Sequence, residues 1–308
     1  MELTPGSRLF ISREHLPGCH NVGGGIAAVG SMGKQSHRFN LVLGAALLVG
    51  LIAAPVQAHD PVFGIGPHVL YKGGIEVASE VDTGKKGNQR ETELGLELTY
   101  GLTGDWAAGV DLPYRFSKGG SEDASGTADV SVFTKYRFWR FDTLGAQESA
   151  AILAKVKFAN GDEDKTPPVG SGSTDAILGL SYGYESRKWY RWASVRYRRN
   201  GENDDRLRRG DKLLVDLVGG IRPKPTGYLR PDTVWLLELN AEYGQRAEFR
   251  GSSLPNTGGK ELFVSPGIFW TLRNFAVKAG VQIPVASNLH GNQNNSDYRA
   301  RLILEWHL

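Results

Sequence analysis

The side chains able to do chemistry in this chain stand at alternate positions. Lys135 and Arg137, Lys155 and Lys157, and Arg196 and Arg198 are cations two apart. Glu76 and Glu80, Glu93 and Glu97, and Glu238 and Glu242 are anions four apart, with Glu305 near the end. Residues i, i+2 and i+4 of an extended strand share one face, so each group is a charged stripe along one side of a strand. Such stripes bind, orient and steer dipolar solutes through their field; they make and break no bonds.

Side chains suited to bond-making are scarcer. Past residue 58 the histidines are His59, His68, His290 and His307. His290 has Ser296 and Asp297 nearby, the residue types of a hydrolytic triad, but residues of one flexible loop seldom make a preorganised triad. A chain starting at His59 offers Cu(II) an amino group and an imidazole, with His68 as a third nitrogen. The plainer reading is a frayed tail, and no metal is assigned. Gly161-Asp162-Glu163-Asp164 lacks the further ligands of a calcium loop and reads as solvated charge. No glycine-rich phosphate loop joins a strand to a helix, so no nucleotide and no other cofactor is assigned. These residues point to a binding or conducting protein and not to an enzyme.

The elements that position the stripes follow from the rest of the chain. Its 308 residues carry 40 glycines and 30 aromatic residues, with 36 Lys+Arg against 33 Asp+Glu, a balance that signals no nucleic-acid partner. A mean hydropathy of −0.31 is too polar for a bundle of membrane helices. The one long apolar run, Leu41 to Ala54, spans 14 residues, short of the roughly 20 that a spanning helix needs. Lys34, His37 and Arg38 precede it, and Val56 and Ala58 supply small residues for signal-peptidase cleavage before His59. Residues 32–58 thus read as a signal peptide, and 1–31 as an extension from a mis-called translation start. The only cysteine, Cys19, falls in that extension, so the exported chain, 59–308, has no disulfide or thiolate chemistry. It keeps 32 basic and 31 acidic residues.

From about Val69 the period is two. In Glu91 to Leu102, Leu94, Leu96, Leu98 and Tyr100 share one face, and Glu93, Gly95, Glu97 and Thr99 the other. Twelve such runs are expected, near 68–82, 90–101, 105–117, 127–140, 148–160, 174–186, 188–200, 211–223, 233–246, 261–271, 275–286 and 298–308. Short links at 103–104, 187 and 273–274, and intermediate ones at 141–147 and 224–232, alternate with longer polar segments at 119–126, 161–173, 201–210, 247–260 and 287–297. Tryptophans 106, 189, 235, 270 and 306, with Tyr100, Phe138 and Phe275, fall on the apolar face near the short links. Tyr114, Phe116, Tyr197, Tyr243 and Tyr298 fall near the long ones, with aliphatic residues between. Two aromatic girdles flanking an aliphatic band mark an all-β fold: a single twelve-stranded antiparallel transmembrane β-barrel with short periplasmic turns and longer extracellular loops.

The closing run Tyr298, Ala300, Leu302, Leu304, Trp306, Leu308 resembles the C-terminal strand of outer-membrane proteins that the barrel-assembly machinery reads, with Leu308 where phenylalanine is usual. Together with the opening His59-Asp60-Pro61-Val62-Phe63-Gly64, the pattern over most of 59–308 resembles a family of outer-membrane transporters labelled with the meta pathway of phenol degradation. The resemblance implies the outer membrane of a Gram-negative cell, lipid and small solutes as partners, and uptake through the barrel.

On that reading the polar face lines a lumen. Strands four, five and seven bring Lys135, Arg137, Lys155, Lys157, Arg196 and Arg198. Strands one, two, nine and twelve bring Glu76, Glu80, Glu93, Glu97, Glu238, Glu242 and Glu305. Walls of opposite sign would set up a transverse field across a narrow charged channel for small polar or aromatic solutes. Twelve strands lie between the filled eight-stranded and the open sixteen-stranded barrels. The alternatives are a structural or adhesive barrel whose charges fill and plug the lumen, and a lipid hydrolase.

Overall fold

A computed structural model of the chain describes residues 60–119, 122–227 and 229–308. The signal peptide, the upstream extension and His59 lie outside the described residues. Twelve long strands run up and down: β1 Ile75–Lys86, β2 Gln89–Gly101, β3 Trp106–Gly119, β4 in two parts Glu122–Thr127 and Ser131–Thr143, β5 Ala146–Lys157 and β6 Asp175–Ser186. They continue with β7 Trp189–Arg199, β8 Lys212–Ile221, β9 Asp232–Gly244, β10 Gly259–Leu272, β11 Phe275–Leu289 and β12 Tyr298–His307. Each pairs antiparallel with the next, and β12 closes on β1 from Lys85↔Tyr298 to Glu76↔His307. Closure leaves no open edge, as a sheet in lipid requires.

The period-two pattern sets which face meets lipid. Leu94, Leu96, Leu98, Leu178, Leu180, Leu217 and Leu237 point outward and exposed. Trp106, Trp189, Trp235 and Trp306 ring the end with the tight turns. Trp139 joins that ring because a bulge between Arg137 and Trp139 inserts one residue, so that Phe138 and Trp139 both face out. The fold and its surface are those of an outer-membrane barrel.

Several boundaries differ from the sequence expectation: Glu122–Thr127, expected in a long loop, is strand, and the expected link at 141–147 narrows to residues 144–145. The link between β1 and β2 is a two-residue turn, Gly87-Asn88, with Gly87 in the left-handed region at φ 59°. The first strand starts at Ile75, not near 68. Residues 60–74 instead run inside the barrel and leave at its periplasmic end, where Gly73 (φ 82°) donates its N–H to the Gly101 carbonyl. Pro61, Gly64, Gly66, Pro67 and Gly73-Gly74 break any alternation there, so this stretch has no strand pattern to follow. On the extracellular side, Leu207–Arg208, Glu248–Phe249 and Ser252–Ser253 tie two loops into a small sheet.

Candidate functional site

The lumen is built around the segment that crosses it. Glu238, at the middle of β9 and fully buried, accepts the backbone N–H of Val62 at 2.7 Å, of Phe63 at 3.2 Å and of Gly64 at 3.1 Å. From the other side Arg301 of β12 donates to the Val62 carbonyl at 3.1 Å, and Arg196 of β7 to the Phe63 carbonyl at 3.1 Å. Lys135 pairs with Asp60 at 2.6 Å, and His68 meets Glu185 near the periplasmic turn. Backbone groups of an irregular segment have no ladder partner, so the barrel's inward charges serve as their hydrogen-bonding groups.

Beneath the crossing, Val62 and Phe63 pack into an apolar cluster with Tyr190, Trp192, Val218, Val234, Leu236, Phe269 and Ala276. Strands β7 to β11 therefore bury apolar side chains inside as well as outside over their periplasmic halves. The signal for this was present in runs such as Val234-Trp235-Leu236-Leu237, which are apolar at both parities.

The expected charged residues all sit on inward positions or at the rim, and most have partners within two strands, with Glu242 of β9 reaching Arg299 of β12 three strands away. Lys155 pairs with Asp111 at 2.5 Å, and Lys157 with Asp129 at 2.7 Å and Asp175 at 3.1 Å. Arg196 pairs with Asp216 at 2.8 Å, and Arg198 with Asp175. Arg137 reaches Asp105 at 2.7 Å in the turn before β3. The acidic side is matched in the same way. Glu93 pairs with Arg115 at 2.6 Å, Glu80 with Arg301 at 2.8 Å, Glu242 with Arg299 and Glu305 with Lys278. Glu97 accepts the Thr99 hydroxyl at 3.0 Å, and Glu76 lies 3.3 Å from His307. The separated walls of opposite sign are thus corrected to a mosaic of pairs. The aspartates at 111, 129, 175 and 216 and the cations at 278, 299 and 301 share the parity of the charges singled out in the sequence.

A cavity of about 420 Å³ remains beside the crossing segment. Phe63, Phe133, Leu153 and Ile177 give it apolar walls, and Glu97, Lys135, Lys155 and Arg196 give it polar ones. Lys155 also lies 5.9 Å from the centre of the Phe133 ring. A larger groove of about 750 Å³, between Leu213, Tyr243, Leu262 and Ala286, opens on the outward face.

The other sequence candidates are not drawn together. His290 contacts the Thr257 carbonyl at 3.1 Å, Ser296 donates to Glu261 at 3.0 Å, and Asp297 accepts the Gly87 N–H at 3.1 Å. In the extracellular loop, burial and then the carboxylates of Asp204, Asp164 and Asp205 push the Glu163 carboxyl above its ordinary range. Neighbouring anions here repel one another, while Lys165 pairs with Asp162 at 2.9 Å and donates to the Ser125 carbonyl.

Residues 58–291 match the family described as "Putative MetA-pathway of phenol degradation". No curated protein matches the chain in sequence. Among solved structures the barrel is similar to an outer membrane channel from Pseudomonas putida F1, at 14% identity and a TM-score of 0.66, covering 81% of this chain and all of that one. The NanC porin follows at 11% identity and a TM-score of 0.46, covering 76% of this chain and all of that one. The β domain of the Bordetella autotransporter BrkA stands at 14% and 0.45, covering 76% of this chain and 98% of that one.

Proposed function

The chain belongs to this phenol-degradation family, and from that premise we propose that it is an outer-membrane channel admitting small polar or aromatic solutes through its lumen. The observation that carries the reading is the cavity beside Asp60–Gly66, walled half by rings and aliphatic side chains and half by paired charges. Its volume, about 420 Å³, lies near the lower end of the roughly 300–1,000 Å³ of ligand pockets. That size and lining suit one small ring carrying a polar group. A benzene-like face packs on Phe133 and Ile177, while Lys155 or Arg196 takes the polar group. The protein catalyses no reaction on this reading. Its partners are the solute, the lipid around it and the assembly machinery that takes its last strand.

Passage requires the crossing segment to shift, since Glu238, Arg196 and Arg301 hold it across the lumen. The same bonds favour a second reading, a closed structural barrel. Liposome-swelling rates for a series of sugars, small organic acids and phenols test both. Uptake of phenols or small acids ahead of sugars of similar size is expected. Uptake of none of them would leave the closed barrel.

A further inference from the structure

At the periplasmic mouth of the lumen the strand register gathers three ligand-bearing side chains. Glu76 on β1 stands directly opposite His307 on β12, and Glu305 lies two residues before His307 on the same face. Opposed residues of antiparallel strands have Cβ atoms about 4.5–5.5 Å apart. One oxygen of each carboxylate and a ring nitrogen of His307 accordingly lie within 4.8 Å of one another, the one such group of three donors among the described residues.

The protein leaves this group incompletely satisfied. Lys278 of β11 pairs with Oε1 of Glu305, while Oε2 has no hydrogen-bond partner although the side chain is only 7% exposed. Nδ1 of His307 lies 3.3 Å from Oε2 of Glu76 and forms no hydrogen bond. A buried carboxylate oxygen without a donor is costly. Two carboxylates facing one lysine also leave a negative charge uncompensated within the cluster.

We propose that Glu76, Glu305 and His307 form a divalent-metal site at the periplasmic mouth of the lumen. One imidazole nitrogen with two carboxylate oxygens is a donor set for late first-row ions such as Zn²⁺, whereas Ca²⁺ and Mg²⁺ take oxygen ligands alone. The backbone that carries His307 is fixed at the strand end: its main-chain N–H donates to the Asn274 carbonyl at 2.9 Å, and the Asn274 side-chain amide donates to the His307 main-chain carbonyl at 3.2 Å. Lys278 holds Oε1 of Glu305 and leaves Oε2 as its unpaired oxygen, as an outer-shell partner does. Three protein ligands leave a coordination position for water or for a donor group on a solute. Glu76 and Glu305 also line the cavity, so the ion sits beside the path of the solute.

The test uses the untagged, full-length barrel, stripped with a chelator and then titrated with Zn²⁺ against a chromogenic indicator. One ion per chain is expected, bound at least about tenfold more weakly by Glu76→Gln and by His307→Gln. Folding of each variant is followed by the heat-dependent gel mobility of the barrel. Because His307 lies in the strand used for assembly, Glu76→Gln on β1 decides the matter if His307→Gln does not fold. Absence of stoichiometric Zn²⁺ in the folded wild type would overturn the site. So would unchanged affinity in folded Glu76→Gln, or binding that survives Glu76→Gln and is lost when His59 is removed.

Discussion

Replacing Glu238 by Gln removes one charge and one acceptor from the point where the crossing segment is fixed. The carboxylate accepts from Val62 at 2.7 Å and Phe63 at 3.3 Å through one oxygen, and from Phe63 at 3.2 Å and Gly64 at 3.1 Å through the other. Glutamine retains one acceptor for Val62, but its NH2 then faces the Gly64 N–H, donor against donor. A hydrogen bond to a charged acceptor contributes about 1.5–3 kcal/mol and a neutral one about 0.5–1.5 kcal/mol. Losing one such bond and weakening another amounts to about 2–3 kcal/mol, or roughly a 30- to 150-fold larger unseated population. Glu238 is fully buried, so no solvent screening reduces the effect. Past residue 58 the chain has no cysteine, so Val62→Cys introduces a single thiol at a position only 1% exposed. Its rate of modification by a charged methanethiosulfonate reports how often the segment leaves its seat. The rate should rise by that factor in Val62→Cys with Glu238→Gln over Val62→Cys alone. Equal rates in the two folded barrels would refute the role given to the carboxylate.

Three further outcomes follow from the same geometry. Lys155→Glu places a second carboxylate beside Asp111 and should shift reversal potentials in planar bilayers toward cations at unchanged conductance. Arg196→Glu should also raise conductance, because Arg196 holds the Phe63 carbonyl as well as Asp216. A Cβ on Gly101 would lie 1.9 Å from the Tyr71 carbonyl oxygen. Gly101→Ala should therefore displace the exit of the segment, and limited proteolysis should cut within 60–74 while the barrel resists. Leu180, 48% exposed on the lipid face at mid-strand, should lose about 2–4 kcal/mol of barrel stability on Leu180→Arg. That loss is read from unfolding midpoints in lipid vesicles, and an unchanged midpoint would place Leu180 away from the lipid.

The strands were legible because lipid outside and water inside impose opposite polarity on alternate residues. Runs such as Leu94-Gly95-Leu96-Glu97-Leu98 therefore state their register directly. The bulge at Phe138 was not legible. Its extra residue turns both Phe138 and Trp139 outward, and parity counting has no means of seeing an insertion. The crossing segment was illegible for a different reason. Asp60–Gly66 has no period, and its hydrogen-bond partners lie as far away in sequence as Glu238 and Arg301. What the sequence did carry was apolar residues on the inward parity, Trp192, Val218, Val234 and Leu236, which an aqueous lumen has no use for and an inserted segment does.

The charges of the lumen show how a barrel this narrow settles its electrostatics. Cations held on one wall and anions on the other would each remain partly desolvated, at distances where attraction across the lumen recovers little of that cost. Neighbouring strands instead bring opposite charges within about 5 Å on the same face, and pairs such as Lys157 with Asp129 and Arg196 with Asp216 form there. Charge along each wall is largely offset in this way over short distances. Three of the charges also bind the backbone of the crossing segment: Glu238, Arg196 and Arg301. On the proposed channel reading, control of passage rests on how firmly those three hold Val62 and Phe63.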